Sequence, residues 1–593
     1  MAQPDGAGIF TEIPSLLPQV IPPVSRLFFR FFCAFGCFFT SFSAQSQSAV
    51  IALDEDLYDL IDRYEIRSGS FNKHFFSGKK PYSGASVAAF FSESDSSGLI
   101  RSPTDRFNRD FFLTDMREWS SLPTDSFRTR RRHFYRTRPD FFSWNESGKV
   151  GEALDLHINP VLYGTIGRDT DLPDPVYTNV RGIELRARVD HRIGIYTFLI
   201  ENQSRLPGYV RATVDEYRVV PHETLWKDFK GDAVDFMQAR GYITFRATPH
   251  VDLRFGHDRH FIGHGHRSMI LSDFSAPYLF LKADLNVGKL KYTWMISRLN
   301  ADILTSNAGT LIKGRYPQKF FAFHQASVNL GRKVNLSVFE SVVFSPRDSA
   351  KRNYFDMGYL NPVIFYRAVE QQFGSPDNVI LGIDGKWLVR KGLALYGQLT
   401  VDELVVGEVL SREGWWGNKF GYQAGLRATD VLGIPNLDVT AEWNSARPYT
   451  YSQSGRYIDY SHYRQPLAHP LGANFREALA IVRYQPHPRI NIQLKTIRYT
   501  KGQDGPDENW GGDILKENDV NRMRTYGNRT TQGSENRVWL TDLTATWMIR
   551  HRLYLDVRHL IRNSSGDRLQ DDRQTQLTSL ALRLNIARRH FDY

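Results

Sequence analysis

Residues 241–281 read GYITFRATPHVDLRFGHDRHFIGHGHRSMILSDFSAPYLFL, and this stretch decides the fold. Its first part alternates, with Ile243, Phe245 and Ala247 on one face and Tyr242, Thr244 and Arg246 on the other. Thr248-Pro249-His250 breaks the pattern, which then resumes with Val251, Leu253 and Phe255 apolar and Asp252 and Arg254 polar. A period of two marks a strand with one face in an apolar medium and one in water. The unit has a tight turn at one end and a long Gly/His-rich loop at the other. Repeated along a chain, it builds a membrane β-barrel with short turns on one side and long loops on the other.

The unit does repeat. Ile183, Leu185, Ala187 and Val189 oppose Glu184, Arg186, Arg188 and Asp190; Leu437, Val439, Ala441 and Trp443 oppose Asp438, Thr440, Glu442 and Asn444. Ile490, Ile492 and Leu494 oppose Asn491, Gln493 and Lys495, and Leu580, Leu582, Leu584 and Ile586 oppose Ser579, Ala581, Arg583 and Asn585. Soluble sandwiches also alternate, but their strands average five or six residues. Many strands here run to about ten, the length a tilted membrane strand needs.

Short connections fall near 190–192, 248–250, 288, 331–333, 390–392, 432–435, 485–489 and 550–552. Between them lie longer ones at 166–175, 201–234, 256–277, 300–318, 344–377, 403–418, 445–473, 501–536 and 562–574. The strict alternation predicts a transmembrane antiparallel barrel of about 18 strands with both ends on the short-turn side, an all-β membrane protein. The chain ends His590-Phe591-Asp592-Tyr593, an aromatic terminus suited to outer-membrane barrel insertion.

Composition agrees. The chain has 593 residues, a net charge of +11 and a pI near 9.3. Beyond the N-terminus it lacks the 18 or more consecutive apolar residues of a membrane helix. Mean hydropathy of −0.41 is compatible with a barrel, in which every second strand residue faces water. Residues 26–44, RLFFRFFCAFGCFFTSFSA, have a basic start, a Phe-rich centre and small residues at the end, the pattern of a cleaved secretory signal; residues 1–25 read as an extension ahead of it. Both cysteines, Cys33 and Cys37, lie in that leader, so disulfide, thiol and Cys-based metal chemistry is excluded from the mature chain. The expected organisation is 1–44 leader, 45–150 periplasmic helical subdomain with a basic linker, and 151–593 barrel.

The helical expectation rests on three stretches. Residues 53–63 place apolar side chains at i, i+4, i+7 and i+8; residues 85–91 follow Pro81-Tyr82-Ser83; and residues 106–119 follow a Ser102-Pro103-Thr104-Asp105 cap. Their apolar stripes are expected to pack on each other, with charged faces solvated. Arg128, Arg130, Arg131, Arg132, Arg136 and Arg138, interleaved with Phe127, Phe134 and Tyr135, read as a linker at the lipid-headgroup boundary rather than a nucleic-acid patch.

Several stretches together resemble a known family: residues 57–69 (LYDLIDRYEIRSG), 80–83 (KPYS), 255–274, 359–366 (YLNPVIFY), 374–378 (GSPDN), 447–451 (RPYTY) and 465–474 (QPLAHPLGAN). They resemble the capsule-assembly Wzi-like outer-membrane proteins of Bacteroidota, among them members linked to gliding motility and adhesion. The sequence departs from that pattern at His264 and His266. The resemblance implies a barrel of about 18 strands with a periplasmic helical bundle, acting on surface glycan in capsule or exopolysaccharide assembly.

His257, His260, His264 and His266 have chelating spacings, but on an extended strand His257 and His260 point to opposite faces, so no metal is expected. Asp402 with Glu403, or Asp384 in the neighbouring strand, form carboxylate pairs better read as partners of interior arginines than as catalytic acids. With no placed nucleophile, no enzyme activity and no cofactor are expected. Trp415, Trp416, Tyr449, Tyr451, Tyr463 and Trp510 in the long loops are candidate glycan-binding residues, since apolar sugar faces stack on aromatic rings. Surface polysaccharide and outer-membrane lipid are the expected partners, with periplasmic gliding or secretion machinery as a further one and nucleic acid excluded. The expected function is a non-enzymatic outer-membrane barrel that binds or organises surface polysaccharide. A structural accessory of adhesion or gliding machinery and a solute pore are the alternatives. The segment 461–474, with two prolines and a glycine, is expected to fold inward and occlude the lumen.

Overall fold

The computed structural model describes residues 49–94, 98–119, 140–146, 153–190, 192–303, 316–345, 355–363, 365–373, 377–455, 457–567 and 572–593. The expected leader with its two cysteines, and the arginine run between Phe127 and Arg138, lie outside these residues.

Eighteen antiparallel strands close on themselves. In chain order they are β1 (Leu154–Asp169), β2 (Val176–Val189), β3 (Ile193–Arg205), β4 (Ala233–Thr248), β5 (Val251–Asp258), β6 (Tyr278–Val287), β7 (Leu290–Asn300), β8 (Gln318–Leu330) and β9 (Val334–Phe344). The second half comprises β10 (Asn378–Arg390), β11 (Leu393–Glu403), β12 (Lys419–Ala428), β13 (Leu437–Ala446), β14 (Phe475–His487), β15 (Ile490–Gln503), β16 (Ser534–Arg550), β17 (Leu553–Gly566) and β18 (Arg573–Leu584). β18 pairs with β1 from Leu577↔Asp169 to Leu584↔Leu162, which seals the barrel and leaves no free edge.

Side-chain parity is as the alternation requires. Ile243, Phe255, Ile490, Ile492, Leu494, Leu580 and Leu582 are exposed on the outer wall, while Tyr242, Thr244, Gln493, Lys495 and Arg583 are buried inside. Trp387 and Trp547 near the short turns, and Trp443 and Trp539 nearer the long loops, stand on the outer face in the manner of interfacial aromatic girdles. The interior is polar and paired: Arg583 bonds Asp556 at 2.7 Å and Arg558 bonds Asp542 at 2.6 Å.

Three helices precede the wall: α1 (Glu55–Ser68), α2 (Gly84–Ser92) and α3 (Pro103–Asp115). Asp54 caps α1 by accepting the Asp56 and Leu57 N–H groups, and Gly69 ends it in the left-handed region (φ 71°). A side chain at Gly69 would meet Lys391 at 2.9 Å, in the turn between β10 and β11. Ser102 and Asp105 form a reciprocal capping box at the start of α3, with Pro103 in the first turn. Tyr58, Ile61, Tyr64, Val87, Phe91 and Phe112 from the three helices share one apolar core.

The expectation of solvated charged faces does not hold. Those faces lie against the barrel's inner wall and its short turns, where solvent is excluded and opposite charges are in reach. Arg427 of β12 pairs with Asp59 at 3.0 Å and Asp62 at 2.9 Å; Lys386 of β10 pairs with Glu65 at 2.9 Å; Arg63 pairs with Asp430 at 2.5 Å and also with Asp438. At Asp62 burial raises the carboxyl's pKa, but Lys80, Lys386 and Arg427 outweigh it and hold the group below the ordinary aspartate value. Helices and wall belong to one compact unit.

The terminal aromatics are not strand-end residues. β18 stops at Leu584, and residues 585–593 turn back into the lumen. Asn585 bonds the turn residue Arg552, Arg588 reaches Asp56 at 2.8 Å, and Asp592 meets Lys495 at 2.9 Å and Arg267 at 3.0 Å. These two cations hold the buried Asp592 carboxyl well below the usual carboxylate range.

Candidate functional site: the cleft at the long-loop end

Two long connections fold inward and carry the floor of the site. In residues 259–277, Leu271, Ser268 and His264 are buried; in residues 447–474, Leu467, Ala468 and His469 are buried. Tyr451 and Tyr460 stack at 5.6 Å and donate their hydroxyls to the Met269 and Ile270 carbonyls at 2.7 and 2.8 Å. Lys319 of β8 ties the second loop to the wall through Asp459 and Ser461. His462 receives the Asn300 N–H at Nδ1 and bonds the Pro277 carbonyl through Nε2, an arrangement only the neutral ring satisfies; burial pushes its pKa down to about 3.

Helix α4 (Gly208–Tyr217) crosses the mouth with Tyr209, Val210 and Val214 buried beneath it. The Tyr209 hydroxyl donates to the Phe591 carbonyl at 2.7 Å, which fixes the C-terminal tail under the helix. On the other side, residues 504–516 form a tight loop. The Asp504 carboxylate accepts N–H groups from Trp510 (2.6 Å), Gly512 (3.2 Å) and Asp513 (2.8 Å).

Between α4, the inward loops and residues 504–516 lies a cleft of about 500 Å³. Its apolar surface comes from Tyr209, Tyr217, Phe274, Leu471, Tyr499 and Tyr593, and its cations are Lys501, Arg562, Arg464 and Lys516. Arg562 lies 5.1 Å over the Tyr209 ring. Arg562 Nε and Gln503 Oε1 are buried without a protein partner, so one donor and one acceptor on the cleft residues are left for water or ligand. Burial pushes the Asp513 carboxyl above the ordinary aspartate value, against the pull of the Leu515 N–H and Lys501. Rings beside cations and amides in a concave site can hold a sugar by stacking and by hydrogen bonds to its hydroxyls.

The six aromatic candidates fare differently. Trp415 and Trp416 are half-buried neighbours (5.9 Å), and Trp416 meets Tyr449 edge-on at 6.0 Å. Tyr449 bonds Gly511 beside Trp510, and so links the three tryptophans into one rim next to the cleft. Arg522 covers one face of Trp416 at 3.9 Å, and Arg524 lies 5.1 Å from the Trp510 ring. Tyr449 and Tyr451 are buried, with hydroxyls on the Asn509 and Met269 carbonyls, so they brace loops and present no ring face. Tyr463 sits apart, bonded to Asn300 at the end of β7. The cleft residues Tyr209, Tyr217, Tyr499, Lys501 and Arg562 were not singled out in the sequence. Tyr499 of β15 and Arg562 of β17 each lie four residues before the strand's end, and only the closure of the barrel brings them to α4.

The four histidines do not converge. His257 bonds the Ala239 carbonyl, His260 the Tyr278 hydroxyl, His264 lies 3.4 Å from Asp384, and His266 lies 3.2 Å from Asp592. Asp402 and Glu403 both pair with Lys419, at 3.4 and 3.2 Å.

No family model matches the chain, and no curated protein matches it in sequence. Among solved structures it is similar to Wzi of Escherichia coli, an outer-membrane protein involved in group 1 capsule assembly and a carbohydrate-binding β-barrel. The TM-score is 0.54 at 11% identity, covering 91% of this chain and 100% of that one. It is also similar to OpdK of Pseudomonas aeruginosa, solved with vanillate (TM-score 0.41, 10% identity, 72% and 98% covered), and to OccK10 of the same organism (TM-score 0.38, 11% identity, 72% and 97% covered). At such identities the likeness is one of fold: the chain is an outer-membrane-type β-barrel of 18 strands.

Proposed function

We propose that the protein resides in the outer membrane of a Gram-negative cell, exported by a cleaved signal peptide, and there binds or organises surface polysaccharide without catalysis. The observation that carries this reading is a filled lumen beneath an open, aromatic- and cation-lined cleft at the long-loop end. Helices, two inward loops and the tail occupy the space a transported solute would need, and a cavity of about 220 Å³ remains between tail, α1 and wall. The fold shared with Wzi supports a role in capsule or exopolysaccharide assembly, as in the Wzi-like proteins of Bacteroidota. Trp415, Trp416 and Trp510 extend the cleft's rim along a polymer. The helices at the short-turn end are the face offered to periplasmic adhesion or gliding machinery.

The test is calorimetric titration of the full chain in detergent with the host's own surface polysaccharide. Saturable binding is expected, weakened about tenfold, or about 1.4 kcal/mol, by Tyr217→Ala with Lys501→Ala. Absence of binding at millimolar sugar by the folded barrel would refute the proposal.

A further inference from the structure

In one region of the outer wall, on β8 to β10, outward apolar side chains are fully covered. On β8, Phe321 packs on Tyr460 inside and Lys319 points inward, so Phe320, Ala322 and His324 face out. Opposite them on β9 stand Phe344, Val342 and Glu340, and opposite Val342 on β10 stands Val379. Elsewhere on these strands outward residues are open, as at Val338 (53% exposed) and Ile383 (46%), but Ala322 and Val342 are both 0% exposed.

What seals them is the described part of the connection from β9 to β10, residues 355–363 and 365–369, which packs against the outside of the wall. Tyr359 lies 4.7 Å from Phe344, and Phe355 lies 4.8 Å from Phe320. Tyr366, at the start of helix α5 (Tyr366–Phe373), stacks on His324 at 4.4 Å and 12°. The Glu340 carboxylate accepts the Tyr366 and Arg367 N–H groups at 2.8 and 2.9 Å and pairs with His324 at 3.1 Å. Further down, the Tyr292 hydroxyl donates to the Pro362 carbonyl; Tyr292 is only the third residue of β7 from the short turn.

Depth follows from the register. His324 is the central residue of the 13-residue β8, so the His324–Glu340 pair sits in the middle of the membrane-facing wall. An ionisable pair there is costly against hydrocarbon. Irregular backbone at that depth is tolerated only where protein satisfies it. The connection meets both demands, supplying two N–H donors and a ring to the pair while its own carbonyl takes the Tyr292 hydroxyl. Its far side is apolar and open: Met357 is 68%, Val363 82% and Phe365 74% exposed. These residues continue the apolar belt of Val338 and Ile383 outward.

We propose that residues 355–363 and 365–369 form a membrane-embedded cover on the outer wall of β7–β10, and that Met357, Val363 and Phe365 contact lipid acyl chains. The sector is a lipid-facing element, not a surface loop.

A nitroxide label tests this in the full chain with Cys33 and Cys37 replaced by serine, reconstituted in phospholipid vesicles. Labels are placed singly at Phe365→Cys, Val363→Cys and Met357→Cys. Val338→Cys serves as the wall reference and Leu410→Cys, an exposed position in the short helix Val406–Ser411 between β11 and β12, as the water reference. Barrel folding is verified for each by heat-modifiable gel mobility, and any folded member of the three suffices. Collision with oxygen exceeding collision with a water-soluble nickel chelate, as at Val338, is the expected result. Nickel accessibility like that at Leu410 would overturn the proposal by placing the segment in water. Protection from both collision partners, or spin–spin broadening between copies, would overturn it by putting protein where lipid is assigned.

Discussion

Arg427 joins a barrel strand to a helix: its guanidinium holds Asp59 and Asp62 of α1 at 3.0 and 2.9 Å. Removing one partner of a buried pair leaves the other charge stranded, at a cost of about 3–5 kcal/mol. Arg427→Met is therefore expected to lower the thermal midpoint of the helical segment and speed its proteolysis. An unchanged midpoint would show that the pair contributes nothing. His462 gives a pH prediction. Its folded pKa, about 3, lies below the ordinary 6.5, so the folded state binds fewer protons than the unfolded chain in between. Its contribution to stability is complete above pH 6.5 and is lost as pH falls from there toward 3. His590, also held neutral by burial with a pKa of about 3, acts in the same direction. Thermal midpoints between pH 7 and 4 should fall less in His462→Gln than in the parent chain; equal slopes would contradict the assignment.

At the scale of elements, the strands were legible because each has lipid on one side and a polar interior on the other, which writes a period of two into the chain. The helices were legible from their punctuation, above all Ser102-Pro103 ahead of α3. Losing the Ser102 cap costs about 1 kcal/mol, so Ser102→Ala should increase cleavage within residues 98–119 while leaving the barrel's gel mobility unchanged. Two things were not legible. The charged faces of the helices look like solvated faces locally, because the wall residues that pair with them, such as Lys386 and Arg427, are more than three hundred residues away. The β9–β10 connection looks like any long loop, because only the parity of β8 and β9 reveals that Tyr359 and Tyr366 cover the outside of the wall. The candidate rings divide by the same logic. Trp415, Trp416 and Trp510 reach the rim, but Tyr449 and Tyr451 are drawn inward by carbonyl partners that sequence alone does not reveal.

For the whole molecule, the consequence is a barrel whose cross-section is spent on its own chain. Glu55 of α1, Arg267 and His266 of an inward loop, Lys495 of the wall and Asp592 of the tail meet in one buried charged cluster. Above that cluster the cleft opens to the long-loop side, and below it the helical core closes the short-turn side. On the proposed reading the molecule serves its surface and not a passage through it, and single-channel recording in a planar bilayer tests that claim most directly. Inserted full-length protein, with insertion verified by protease protection, is predicted to hold the baseline current across the voltage range. A steady ohmic open state would contradict the account and make the molecule a pore.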